Sequence, residues 1–224
     1  MNVHSRAALR RCLLELLPVN QPDRTPPQAE HRAVEILEGV RMAFAEKGFD
    51  GASMQDLARA CGMSVGNFYR YFPSKAAIVA ALVTRDLAEV GHEFSQIIES
   101  DDPMATLRAA LAFRIREDSC ANDGLLWAEM MAAALRKPEI ADLTRQMEAE
   151  VSRYLTIVFA QVRGIDAEEA RHRFAAHASL IVMMIKASAM HRPENPQAQS
   201  ELHALLTRTL NRVLDEIETD DLKG

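Results

Sequence analysis

Between Ser53 and Lys75 the chain gathers Ser, Asn, Tyr, Arg and Lys side chains at close spacing, in the run SMQDLARACGMSVGNFYRYFPSK. These are hydrogen-bond donors and cations, and no nucleophile–base pair stands among them. Their chemistry is recognition. Hydroxyls, phenols and an ammonium suit phosphate oxygens, while an amide such as Asn67 matches the donor–acceptor edge of a base. Elsewhere the signs of catalysis are missing. Cys12, Cys61 and Cys120 lie far apart with no metal-ligand or disulfide spacing, and the seven histidines form no H-E-x-x-H pattern. With no glycine-rich phosphate loop either, no enzyme, cofactor or metal site is expected.

The local signals around these residues predict short helices. Ser53 caps a helix with Asp56 three positions on, as a capping box requires, and Met54, Leu57, Ala58 and Cys61 form its apolar side. Gly62 ends that helix, where a left-handed backbone is cheapest. Ser64 caps the next, over Val65 to Tyr71, with Phe68 and Phe72 four apart and facing inward. Tyr69 then falls about 100° round the helix from Phe68, so Val65, Gly66, Asn67, Tyr69, Arg70 and Tyr71 point outward. Pro73 stops this helix, Ser74 caps another, and Lys75 sits in its first turn. A cation there opposes the helix dipole, but it would share a phosphate with the backbone N–H groups. Two short helices joined at a glycine make a helix-turn-helix, which holds one helix against another so that its free face can enter a DNA major groove.

At 224 residues the chain can bury a sizeable core, and the absence of long apolar/polar alternation argues against a sheet. The fold expected is all-α. Residues 1–28 read as an N-terminal extension: Leu9, Leu13 and Leu16 could share one side of a short helix, which Pro18, Pro22, Pro26 and Pro27 then break. Either a basic arm on DNA or a mobile tail fits this segment. Ala29 to Lys47 predicts a strong helix with a stripe of Ala33, Ile36, Leu37, Val40, Ala43 and Phe44, closed by Gly48, with Phe49 folding back. Beyond Ala76 helix follows helix: Ser74 to Ser100 with Gly91 as a weak point, Pro103 to about Ser119, Gly124 to Arg136, Pro138 to Gly164, Asp166 to about Met190, and Pro196 to Glu218. No repeat period recurs, which favours a bundle over a solenoid.

Net charge is −6 and unevenly divided. Residues 1–80 carry 10 Lys+Arg against 8 Asp+Glu, and residues 81–224 carry 16 against 24. The basic excess therefore sits with the proposed DNA module. The longest apolar run, near Leu180 to Ile185, is far too short to span a bilayer, and Cys12 to Leu17 is too interrupted for a signal peptide. A cytoplasmic protein with no membrane partner is expected.

With F-A-E-K-G-F at Phe44 to Phe49 and S-M-x-D-L-A-x-x-C-G-M-S-x-G-N-F-Y-x-Y-F-P-S-K from Ser53, the chain resembles the TetR/AcrR family of transcriptional regulators over Ala29 to about Val83. Cys61 replaces a common alanine, and Ala76 stands where an acid often follows the lysine. The resemblance implies a helix-turn-helix DNA-binding domain over 29–75 and a C-terminal helical bundle over 76–220 for effector binding and dimerisation. It implies a homodimeric repressor that leaves a palindromic double-stranded operator when a small apolar or amphipathic effector binds. Carried over by position, Ser53, Tyr69, Tyr71 and Lys75 would hold phosphates, with Ser64 and Arg70 beside them. Val65, Gly66 and Asn67 would approach base edges, Asn67 pairing with adenine and Val65 packing on a thymine methyl.

The same resemblance places a ligand cavity in the C-terminal half. Phe94, Phe113, Trp127, Met130, Met131, Met147, Tyr154, His177 and Met184 could line it, or could equally be packed core. Arg114, Arg116, Glu129 and His177 are candidate polar anchors. The last two helices offer a dimer surface: Ala175, Ala178, Ser179, Val182 and Met183 on one, and Leu202, Leu205, Leu206, Leu210 and Val213 on the other. A ligand-independent DNA-binding protein or an activator is the alternative reading.

Overall fold

The computed structural model describes residues 27–116, 121–191 and 195–219. Among them lie nine helices: α1 (Pro27–Lys47), α2 (Met54–Ala60), α3 (Val65–Tyr71), α4 (Lys75–Glu99), α5 (Pro103–Arg116), α6 (Ala121–Ala134), α7 (Pro138–Arg163), α8 (Ala167–Met190) and α9 (Pro196–Thr219). The fold is all-α as expected. The extension expected at 1–28 lies outside the described residues except for its last two, which already belong to α1, and Cys12 and Cys120 lie outside them too.

Local signals set most helix ends. α1 stops at Gly48, which takes φ +74° and donates its N–H to the Phe44 carbonyl at 2.9 Å. Gly62 (φ +62°) and Gly164 (φ +67°) do the same work after α2 and α7. Asp166 caps α8 by accepting the N–H groups of Glu168 and Glu169, both at 2.9 Å. α4 runs unbroken through Gly91, which is buried, so the helix has no break there. Gly124 likewise lies inside α6, which begins at Ala121.

The chain divides into two compact units, exchanging at Leu87/Ala88 within α4 and at Met147/Glu148 within α7. One comprises 27–87 and 121–147. The unit that holds the helix-turn-helix is therefore larger than the 29–75 stretch expected for it. The reason lies in α1, which packs on both α2 and α6. Its stripe begins at Ile36, since Ala33 is exposed, and continues through Leu37, Val40, Ala43 and Phe44. Two short helices cannot cover so long an apolar face. α6 completes the cover and buries Leu126, Met130 and Ala133. On the α2 side Gly39 permits close approach: a Cβ there would lie 3.0 Å from the Ala60 carbonyl oxygen and 3.2 Å from Cys61 Sγ.

The other unit comprises 88–116, 148–191 and 195–219. Its core joins Phe94 and Ile97 of α4, Leu107 and Ile115 of α5, Leu155 to Phe159 of α7, Phe174 and Ile181 of α8, and Leu210 to Ile217 of α9. Arg108 of α5 fastens α9, reaching Asp215 at 2.7 Å and Glu218 at 2.5 Å. Among the described residues no helix is long and apolar enough to cross a membrane.

Candidate nucleic-acid interface

The helix-turn-helix is built on reciprocal caps. Ser53 Oγ accepts the Asp56 N–H at 3.1 Å while the Asp56 carboxylate accepts the Ser53 N–H at 3.0 Å. Lys47 adds a 2.6 Å contact to that carboxylate. The lysine and the serine donors together hold Asp56 well below the usual carboxylate range. Ser64 Oγ accepts the Asn67 N–H at 3.4 Å, and Ser74 Oγ accepts that of Ala77 at 3.1 Å.

α3 presents the expected two-sided character. Phe68 is fully buried and Phe72 half-buried, their ring centroids 5.3 Å apart. Val65, Gly66, Asn67, Tyr69, Arg70 and Tyr71 are all exposed, Tyr69 at 48% and Tyr71 at 60%. A large aromatic left so open on a folded surface asks for a partner, and two of them beside an arginine and an asparagine suit a polyanion. At Gly66 an added Cβ would meet nothing within 4 Å, so packing within the chain does not demand glycine there. Ser53 and Ser64 are exposed too, although their hydroxyls already serve as helix caps.

Lys75 departs from expectation. Its ammonium does not stand free for a phosphate: it donates to the Phe49 carbonyl at 2.6 Å and the Asp50 carbonyl at 3.1 Å. It also lies 5.4 Å from the Phe49 ring centroid. Partial burial pushes its pKa down, opposed by the Asp50 charge. The cation that looked anomalous in a helix first turn is balanced by the carbonyl-rich turn after α1.

The residues expected around an effector fall into both units. Within the larger helical unit Phe94 and Tyr154 are buried and stacked, with centroids 5.5 Å apart, and Met184 shares their core. Burial pushes the Tyr154 phenol up. Phe113 is not with them: it is 60% exposed, because it lies off the α5 stripe of Leu107, Leu111 and Ile115. His177 is half-buried, its Nε2 3.3 Å from Glu216 and its ring edge-on to Phe174. Within the helix-turn-helix unit Met130 and Met147 are buried, and Trp127 and Met131 half-buried.

The expected polar anchors already have protein partners. Arg114 holds both Glu93 oxygens at 2.6 Å, Arg116 Nε donates to the Ala112 carbonyl, and Glu129 accepts the Phe49 N–H at 2.8 Å. Of the expected dimer surface, Ala178, Leu210 and Val213 are buried in the unit's own core. Ala175, Ser179, Met183 and Leu205 are exposed, while Val182, Leu202 and Leu206 are half-buried. Leu180 is 43% exposed beside them, although it lies in a run that reads as buried. The cluster around Phe49, Asp50 and Glu129 was missed. Arg136 and Asp50 alone lie 86 positions apart, and no spacing rule reaches so far.

Residues 36–82 match the family described as "Bacterial regulatory proteins, tetR family". The chain is 25% identical over 133 residues to the HTH-type transcriptional regulator UidR of Escherichia coli K12, covering 59% of this chain and 67% of that protein. Its fold is similar to that of Salmonella enterica GusR, with a TM-score of 0.61 at 24% identity over 84% of this chain and 100% of that one. It is similar also to FadR of Bacillus subtilis, solved in complex with stearoyl-CoA, with a TM-score of 0.54 at 16% identity over 84% of this chain and 98% of that one.

Proposed function

We propose that this chain, which belongs to the tetR family of bacterial regulatory proteins and is a DNA-binding transcriptional regulator, acts in the cytoplasm as a homodimeric repressor whose operator is released by a small apolar or amphipathic effector. The observation that carries this reading is the exposed face of α3, where Asn67, Tyr69, Arg70 and Tyr71 stand opposite the fully buried Phe68. In this reading Val65, Gly66 and Asn67 meet base edges, while Ser53, Ser64, Tyr69, Arg70 and Tyr71 lie along the phosphates.

Two such heads in a dimer would enter successive major grooves ~34 Å apart, so the operator is a near-palindrome. The exposed Leu180 and Met183 of α8 and Leu205 of α9 support dimerisation through these helices, since apolar side chains open to water favour a partner. The aromatic and methionine content around α6 and α7, together with the acyl-CoA seen in the similarly folded FadR, supports an effector with a substantial apolar part.

Fluorescence anisotropy with duplexes from the intergenic DNA upstream of the gene tests the reading. Saturable binding that weakens with salt and resists competition by random duplex is expected. Failure to bind that DNA even at low salt sinks the proposal.

A further inference from the structure

The turn between α1 and α2 is gripped from outside the helix-turn-helix. Glu129 on α6 accepts the Phe49 N–H through Oε2 at 2.8 Å. At the α6–α7 elbow, Lys137 and Arg136 reach the Asp50 carboxylate at 2.7 and 2.9 Å. Lys75 closes the opposite side through the carbonyls of Phe49 and Asp50. The Phe49 ring anchors the whole: it is buried, stacked on Phe44 with centroids 5.3 Å apart, and flanked by the Lys75 and Lys137 ammonium groups at 5.4 and 5.5 Å.

The packing around this turn is close. A Cβ on Gly48 would lie 3.0 Å from Glu129 Oε2, so the carboxylate sits directly over the glycine that ends α1. The turn leads at once into Ser53, whose capping box begins α2, and α2 in turn packs on α3. The Phe49–Asp50 backbone is thereby joined, through α2, to the helix that carries Asn67 and Tyr69. The two lysine–carbonyl bonds hold the backbone and the two salt bridges hold the Asp50 side chain, and each is short enough to count as a hydrogen bond.

We infer that Glu129, Arg136 and Lys137 form a positioning clamp on the Gly48–Asp50 turn, with Lys75 as its fourth member rather than a phosphate ligand, and that α6 and α7 set the pose of the DNA-reading helices through it. The inference rests on the DNA-binding reading above for its consequence, but the clamp itself is a property of the free protein. Glu129, Lys137, Arg136 and Lys75 touch no base; they act through Phe49 and Asp50.

Hydrogen exchange of the Phe49 amide, measured by NMR without DNA, tests the clamp. Glu129→Ala should speed that exchange about tenfold, the scale of losing a charge-assisted hydrogen bond. Glu129→Gln, which keeps an acceptor oxygen, should retain most of the protection. Asp50→Asn removes both salt bridges from an exposed position and should raise exchange in the same turn with the core intact. Unchanged Phe49 exchange in both Glu129→Ala and Asp50→Asn overturns the clamp. Binding to the upstream intergenic duplex then tests its consequence. Lys75→Ala and Glu129→Ala should each weaken binding several-fold while leaving the slope of log K against log salt unaltered. A slope shallower by about 0.9 for Lys75→Ala would make it a phosphate ligand and overturn its place in the clamp. A wild-type chain that ignores this DNA while Phe49 exchange responds as expected would sink the DNA-binding reading and leave the clamp standing.

Discussion

Cys61 Sγ donates to the Ile36 carbonyl at 3.2 Å, tying the end of α2 to the middle of α1 at the point where Gly39 lets the two helices approach. Cys61 is buried, and burial pushes its thiol above the ordinary range. It should therefore resist alkylation at pH 8 in the native state and react rapidly in denaturant. Mass spectrometry of the Cys61 peptide after timed iodoacetamide exposure measures this. Equal native and denatured rates would contradict the packing.

Lys47 and the Ser53 donors lower the folded pKa of Asp56, and Lys137 and Arg136 lower that of Asp50. Around and below the unfolded value of about 3.9 the unfolded chain binds more protons than the folded one, so stability rises with pH there and is lost on acidification. Their contribution is complete above about pH 4 and is lost as pH drops through the folded values. Helical signal in urea titrations between pH 6 and pH 2 should show this loss. Asp56→Asn should flatten the dependence.

Ser53→Ala removes the side-chain acceptor of the α2 cap and should cost the helix-turn-helix unit about 1 kcal/mol. The urea midpoint reports it. Ser64→Ala should cost less, because its cap bond is longer, at 3.4 Å against 3.1 Å.

Gly51 and Gly66 should respond in opposite ways to alanine. A Cβ on Gly51 would fall 2.2 Å from the Lys47 carbonyl oxygen, a backbone atom that cannot swing away, so Gly51→Ala should destabilise by about 2 kcal/mol. Gly66→Ala enters open space within α3 and should stabilise the free protein by about 0.5–1 kcal/mol. If α3 backbone meets DNA at Gly66, the same substitution weakens operator binding. Melting and anisotropy on one pair of variants separate the two effects.

Tyr69→Ala should weaken binding to operator and random duplex alike, whereas Asn67→Ala should relax discrimination at one base pair at a cost of about 1–3 kcal/mol. A binding series over single-base operator variants distinguishes them. Uniform losses for Asn67→Ala would remove it from base readout.

The short-range order of this chain was legible from its residues alone. The caps at Ser53, Ser64 and Asp166, the stops at Gly48 and Gly62, and the inward Phe68 against the outward Tyr69 and Tyr71 all depend on neighbours within one helical turn. Capping, glycine stops and 3.6-residue periodicity operate at that range, so spacing sufficed. Tertiary packing decided the rest. Periodicity marked apolar stripes on α1, α8 and α9 without saying what covers each: α6 covers part of α1, and the chain's own core claims Ala178 and Leu210. Lys75 looked like a cation awaiting a phosphate because the carbonyls that receive it lie 25 and 26 positions away. Glu129 looked like a ligand anchor because Phe49 lies 80 positions away. A side chain's charge is written in the sequence, but its partner is whichever group the folded backbone brings within about 3 Å.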